Sequence, residues 1–313
     1  MKILMFGRGM IASVYGWAFE KAGHQVEFYV RPGRAAQHGP EIELSIRDGR
    51  EKGAEVSERW PVTLREELAP GHDFDLVLVS VNPDQLAGAV EFLTGRVGTA
   101  TVLVFGNVWA DPAEVVSSLP ADQVVWGFPG AGGGFTGSRV SGGMLKNVFL
   151  GYVDGSNRGL RHEAVRDLFT GAGFSVSRVR DFRSWLWFHY ILDAGMLTEV
   201  LAAGSVDAYL GSPEAVSGSV LLVREMVPLL KAKGGTPRIG AALMTYLPAG
   251  LVSFVLRKTL GGDNLAAFFF RQIERTGHLD RHLAGLYSRD VLAEARERGI
   301  RLPRLEAREP VFA

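Results

Sequence analysis

"KILMFGRGMIASVYGWAFEKAGHQVEFYVRPGR", residues 2–34, is the stretch that decides the fold. Residues 2–6 read as a short apolar strand, a helical pattern follows, and residues 25–30 return to strand. Between the first strand and the helix stands Gly7-Arg8-Gly9-Met10-Ile11-Ala12, a G-x-G-x-x-G/A pattern. Alone it says little, but here it follows a strand, opens a helix and leads to a second strand. Gly7 permits the tight turn, Gly9 lets the backbone approach a pyrophosphate, and Ala12 keeps helix and strand close. Met10 and Ile11 stand at the helix start, where free N–H groups and the helix dipole favour phosphate. The bland alternative is a strand–turn–helix with incidental glycines.

The residue after the second strand discriminates between dinucleotides. An Asp or Glu there accepts hydrogen bonds from the ribose hydroxyls of NAD. This chain has Arg31, followed by Pro32, Gly33 and Arg34. A guanidinium can grip a 2′-phosphate in bidentate fashion and stack on adenine. The expected cofactor is therefore NADP(H), with Arg31 and Arg34 on the phosphate; solvated loop charges are the other reading. Glu27 lies inside the strand, too early for the ribose.

Working outward, the 313 residues suffice for two domains, and 47 % are apolar, as in an ordinary globular enzyme. The formal net charge is zero, which argues against nucleic acid or an anionic membrane as a partner. Cys is absent, which excludes disulfides, a thiolate nucleophile and Cys-ligated metal. The N-terminus reads as a strand rather than a leader, and a cytoplasmic location is expected. The longest apolar run, "AALMTYLPAGLVSFVL" (241–256), is broken by Pro-Ala-Gly and falls short of the roughly 20 residues of a membrane span. It reads as a buried or interfacial helix pair, an enlarged apolar pocket or a dimer contact.

Strands are expected at 2–6, 25–30, 75–81, 101–105 and 123–127, and again near 148–153 and 174–179. Amphipathic segments at 84–93 and 161–172 lie between them. Such alternation predicts an α/β fold, a doubly wound parallel sheet of Rossmann type. "GFPGAGGGFTGSRVSGG" (127–143) reads as a Gly-rich loop between strands, whose residues 128–134 could approach a nicotinamide closely. From Asp181 helical periodicity takes over. The expected division is a nucleotide domain over 1–180 and an all-helical substrate or dimerisation domain over 181–313. Gly299 and Pro303 mark a helix stop near the end.

On these features the chain resembles the ketopantoate reductase (2-dehydropantoate 2-reductase) family over nearly its full length. The likeness rests on the 2–13 start, Arg31, "VLVFGN" ending in Asn107, the Trp-led helix near residue 185 and "ERGIRLP" (297–303). The resemblance implies an N-terminal Rossmann domain, a helical C-terminal domain, and NADPH-dependent reduction of a branched 2-keto acid on the route to pantothenate. It implies that Asn107 lines the nicotinamide and substrate site. Asn82 stands where the family usually has Lys after a Val-rich strand. The family's W-x-K-L-x-x-N motif is altered: headed on Trp185, it puts Trp187 at the Lys position. Headed on Trp187, it puts His189 there and Asp193 at the first Asn. The Thr-Glu motif near the C-terminus is replaced by "TGHLDRHLAGLYSRD" (276–290), with His278, Asp280 and His282.

Reducing a ketone needs a hydride and a proton, and a histidine titrates near the working pH. His189 and Asp193, four apart on one helix, share a face, so Asp193 can orient the imidazole. Asn107, at a strand's carboxyl end, faces the crevice where such sheets bind ligands. The catalytic candidates are His189, Asp193 and Asn107. Packing of His189 among Trp185, Trp187, Phe188 and Tyr190 is the competing reading. His278 and His282 share the i, i+4 spacing without an adjoining carboxylate pattern, so no metal site is expected. The expected activity is an NADP(H)-dependent reductase of a small carbonyl compound, with self-association into a homodimer in view. A reductase of a bulkier carbonyl or imine, or a catalytically silent NADP(H)-binding protein, is the alternative.

Overall fold

The computed structural model describes residues 1–153, 159–237, 244–262, 264–277, 279 and 281–313. His278, Asp280 and residues 241–243 of the apolar 241–256 run lie outside them. The chain divides into two compact units, Met1–Phe182 and Arg183–Ala313.

The strands of the first unit are β1 (Lys2–Phe6), β2 (Gln25–Tyr29), β3 (Glu41–Asp48), β4 (Ala54–Pro61), β5 (Thr63–Arg65), β6 (Leu76–Val79), β7 (Thr101–Phe105), β8 (Val124–Phe128), β9 (Ala131–Thr136), β10 (Arg139–Met144), β11 (Asn147–Gly151) and β12 (Ser175–Val179). Its helices are α1 (Met10–Lys21), α2 (Ala35–His38), α3 (Pro83–Leu93), α4 (Pro112–Val115) and α5 (Leu160–Gly171). Eight strands form one sheet in the order β12-β11-β8-β7-β6-β1-β2-β5. Every pairing in it is parallel except β8 with β11. The central strands β6 and β7 are buried along their whole length, as continuous apolar runs in a covered parallel sheet should be. From β1 the chain runs outward through β2 to β5, then returns to β6 on the other side of β1. That reversal puts a topological switch point between β1 and β6, where open α/β sheets bind their ligands.

A second sheet, β4-β3-β10-β9, corrects the expected Gly-rich loop. Residues 131–144 form an antiparallel strand pair, not a loop. Its glycines answer to packing: a Cβ on Gly142 would stand 2.3 Å from Gly132 O and 2.6 Å from Met10 Cε. The strands thus press on each other and on α1 more closely than any side chain allows. The same sheet explains why α1 has almost no polar face: from Ala12 to Phe19 every residue is buried. A helix apolar all round must be covered all round. Gly16 shows how tightly, since a Cβ there would lie 3.1 Å from Phe28 of β2 and 3.3 Å from Trp60 of β4. Ile42, Leu44, Val140 and Met144 join Met10, Tyr15 and Phe19 in one core.

The second unit is helical: α6 (Phe182–Ala203, beginning at the boundary residue), α7 (Val206–Gly211), α8 (Pro213–Ala232), α9 (Ala249–Leu260), α10 (Leu265–Arg275), α11 (Arg281–Glu297) and α12 (Pro303–Phe312). Gly195 brings α6 against α8, for a Cβ there would sit 2.8 Å from Val223 Cγ2. Val200, Tyr209, Leu210, Val216 and Phe270 make a core where α6, α7, α8 and α10 meet. The expected helix stop near the end is in place: Gly299 has φ +66°, and Pro303 opens α12. Among the described residues no helix is long and apolar enough to cross a membrane.

Candidate functional site

The strand register brings the expected cofactor residues to one edge. Phe6 pairs with Tyr29 on one side and Val79 on the other, and Val79 pairs with Val104. Each of these strands ends there, so Gly7, Arg31, Ser80–Asn82 and Gly106–Asn107 follow side by side along the carboxyl edge. Chain direction alone achieves this, because parallel neighbours end together.

The turn after β1 has the shape a phosphate needs. Gly7 has φ +95°, a conformation that disfavours any side chain, and its N–H bonds Tyr29 O at 2.9 Å. Gly9 caps α1 in extended conformation, and no side chain caps that helix. The first intrahelical bond runs from Ser13 N to Gly9 O, so the helix itself leaves the N–H groups of Met10, Ile11 and Ala12 unclaimed. A Cβ on Gly7 or Gly9 would find no atom within 4 Å, so both face open space. Met10 and Ala12 are buried, so what they can offer an anion is backbone. These features fit a dinucleotide pyrophosphate.

Beside this turn lies a residue that pattern reading passed over. Arg8 is only 8 % exposed. Its Nη2 donates to Glu41 O at 2.7 Å, its guanidinium lies over the Phe135 ring at 5.1 Å, and its Nε has no hydrogen-bond partner. Burial pushes its pKa below the ordinary arginine value. The signal was present in the sequence as a cation between the two glycines. Ser80, after β6, also has a buried hydroxyl without a partner, and nothing in the sequence marks it.

Arg31 and Arg34 are exposed, and Arg34 Nη1 donates to Gln37 Oε1 at 2.7 Å. Glu66 receives the Ala35 N–H at 2.7 Å, and the amides of Ala35 and Gly33 hold its carboxyl below the usual range. Glu27, inside β2, receives Arg65 Nε at 2.8 Å and so is occupied. Asn82 is the N-cap of α3, without a side-chain cap bond, and Pro83 follows at the first helical position. Asn82 and Asn107 are both half-buried.

In the second unit, α6 carries the expected pair. His189 Nε2 lies 3.6 Å from Asp193 Oδ2, with side chains 30 % and 18 % exposed. Trp185 stacks on the His189 ring, centroids 5.1 Å apart and planes 5° from parallel. Trp187, at the alternative Lys position, is buried beneath Lys233 Nζ, 5.0 Å from its ring. Trp187 is therefore core and His189 is the more accessible group, so the packing and chemical readings divide between two residues. Sequence reasoning missed a second carboxylate on this unit: Asp290 receives the Tyr190 hydroxyl at 2.6 Å, and burial raises the pKa of both. His282 is exposed.

Residues 3–142 match the family model described as ketopantoate reductase PanE/ApbA. No curated protein matches the chain. Solved structures do. A PanE/ApbA family ketopantoate reductase from Ralstonia eutropha JMP134 is 18 % identical with a TM-score of 0.72, over 100 % of this chain and 97 % of that one. A dimeric ketopantoate reductase from Staphylococcus aureus is 12 % identical with a TM-score of 0.66, over 99 % and 98 %. D-mandelate dehydrogenase, solved with NADH and anilino(oxo)acetate, is 16 % identical with a TM-score of 0.70, over 100 % and 97 %. At these identities the likeness is one of fold.

Proposed function

We propose, from the match of residues 3–142 to the ketopantoate reductase family model, that the protein is an NADP(H)-dependent oxidoreductase reducing the ketone of a 2-keto acid or related carbonyl compound. The observation that carries this reading is the open turn at Gly7 and Gly9 on the carboxyl edge of β1, at the switch point of the sheet. The amides of Met10, Ile11 and Ala12 hold the pyrophosphate. Arg31 and Arg34 take the 2′-phosphate, and Asn82 and Asn107 flank the nicotinamide end. When bound, the cofactor supplies the hydride. His189 gives the proton to the developing alkoxide, and Asp193 orients its ring.

A bulkier substrate than ketopantoate is the second reading. It is favoured by His189 standing where the resemblance expects Lys, and by the likeness in fold to D-mandelate dehydrogenase solved with anilino(oxo)acetate. The test is cofactor oxidation by the purified protein, read from nicotinamide absorbance. Ketopantoate is compared with aliphatic and aromatic 2-keto acids, with NADPH and NADH in parallel. Turnover of ketopantoate supports the family activity, and turnover of aromatic acids alone supports the second reading. Tight NADPH binding with no turnover of any carbonyl would make the protein a silent binder and overturn both.

A further inference from the structure

The charge on Arg8 is unfinished. It is more than nine-tenths buried, and among the described residues no carboxylate lies within ion-pair distance of it. Its partners are one carbonyl oxygen and one aromatic face, and its Nε has none. A buried ion without a counter-ion is costly, and proteins usually pair it, solvate it or remove it. The chain keeps it in the middle of its phosphate-type turn.

The surroundings add positive charge. His38, at the end of α2, is held below the ordinary histidine value by burial first and then by the charges of Arg8 and Arg34. Arg31 and Arg34 stand on the same loop. Of the carboxylates on that side, Glu66 is engaged by the backbone amides of residues 33–35, and Glu27 by Arg65. The corner between β1, β2 and α2 therefore collects cations, and the carboxylates of Glu66 and Glu27 beside it are already engaged. The Arg8 side chain reaches Glu41 and Phe135, the edges of β3 and β9. Glu41 follows α2 closely in the chain, so this contact sets the guanidinium beside that corner.

We infer that Arg8 is a specificity-determining residue, the buried arm of an anion site whose ligand is a phosphate monoester on the adenosine ribose. The inference rests on the NADP(H) reading and deepens it. The roles are divided: α1 amides take the pyrophosphate, exposed Arg31 and Arg34 close over the monoester from solvent, and Arg8 meets it from inside. A monoester carries about −1.5 to −2 charges at neutral pH, enough to neutralise a desolvated guanidinium and one neighbour.

The experiment is calorimetric titration of wild-type protein and Arg8→Met with adenosine 2′,5′-bisphosphate and with adenosine 5′-monophosphate, alongside thermal unfolding without ligand. Arg8→Met should weaken the bisphosphate by about 10- to 100-fold, the loss of one or two charge-assisted hydrogen bonds, and leave the monophosphate within about twofold. It should also leave the ligand-free unfolding temperature unchanged or raise it, because an uncompensated charge is removed. Equal losses for both ligands, or no loss for either, would overturn the role of Arg8 while leaving dinucleotide binding intact. A wild-type protein that binds the two ligands equally would overturn the NADP(H) reading and this inference together. If Arg8→Met does not fold, Arg8→Lys replaces it. Lys keeps the charge but lacks the planar fork, so the bisphosphate preference should still fall by about tenfold. An unchanged preference would overturn the inference.

Discussion

The His189 ring lies flat on Trp185 and brings Nε2 to 3.6 Å from Asp193 Oδ2, one helical turn further along α6. Stacking fixes the plane of the imidazole, and the i, i+4 spacing fixes where the carboxylate stands. The ring remains 30 % exposed, so the pair is held in place but open to a ligand.

If His189 donates the proton, His189→Ala should lower kcat by about 100-fold or more on the preferred carbonyl, the usual scale for losing a general acid. NADPH affinity should be unchanged. Asp193→Asn should cost less, about tenfold, because it removes only the orienting charge. Steady-state kinetics with a fluorescence titration of NADPH decide this. An unchanged kcat in a folded His189→Ala protein would return the residue to packing.

The two glycines of the turn should fail differently. Gly7 has φ +95°, so Gly7→Val carries a backbone cost of about 1–3 kcal/mol and loses dinucleotide binding as well. Gly9 has φ −76° and open space around its Cβ position. Gly9→Val should unfold at the wild-type temperature yet bind NADPH at least about tenfold more weakly, because the new side chain occupies the pyrophosphate position. Thermal unfolding with and without NADPH separates the two. Normal binding by Gly9→Val would count against the turn as a phosphate site.

A third substitution probes the second sheet. At Gly142 a new Cβ would meet Gly132 O at 2.3 Å and Met10 Cε at 2.6 Å. Gly142→Ala should destabilise by about 1–3 kcal/mol through overpacking. Because the strain bears on Met10, it should also weaken NADPH. Urea denaturation with a binding titration reads both effects.

Acid should destabilise the protein through its histidines. His24, His38 and His162 each sit below the ordinary histidine value, with burial the largest cause in every case. Between those depressed values and the unfolded value of about 6.5, the unfolded chain binds more protons. Stability therefore rises with pH through that window, is complete above it, and is lost as pH falls. His162 is 2 % exposed and stacks on Tyr152 at 4.3 Å, so His162→Phe keeps the stack and removes one titrating group. The variant's urea midpoint should vary less between about pH 5 and about pH 7.5 than the wild-type midpoint. An equal slope would exclude His162 as a contributor.

The apolar run expected to form a pocket or a contact surfaces as an exposed face: Tyr246, Leu247, Leu251, Phe254 and Val255 are between 37 % and 78 % exposed. Contiguous apolar patches of several hundred Å² commonly mark association sites, by the usual order-of-magnitude criterion. If the chain pairs with itself there, Phe254→Glu should shift the sedimenting species from dimer to monomer. A wild-type monomer would exclude pairing.

Residues 2–34 alone determined the β1–α1–β2 start, the phosphate-type turn and the arginine after β2, because each depends on neighbours in the chain: apolar period, glycine conformation and the residue at a strand end. The parallel sheet, the helical second unit and the His189–Asp193 pair were legible for the same reason. The second sheet was not, because β3 with β10 is a pairing across about a hundred residues, and the glycines of 131–144 look like loop until their close packing on Met10 is known. Tertiary structure likewise decided that Trp187 is core while His189 is accessible, that Asp290 serves Tyr190, and that Arg8 is buried without a counter-ion. Burial and electrostatic compensation depend on what distant parts of the chain bring to a residue, and local sequence carries no record of it.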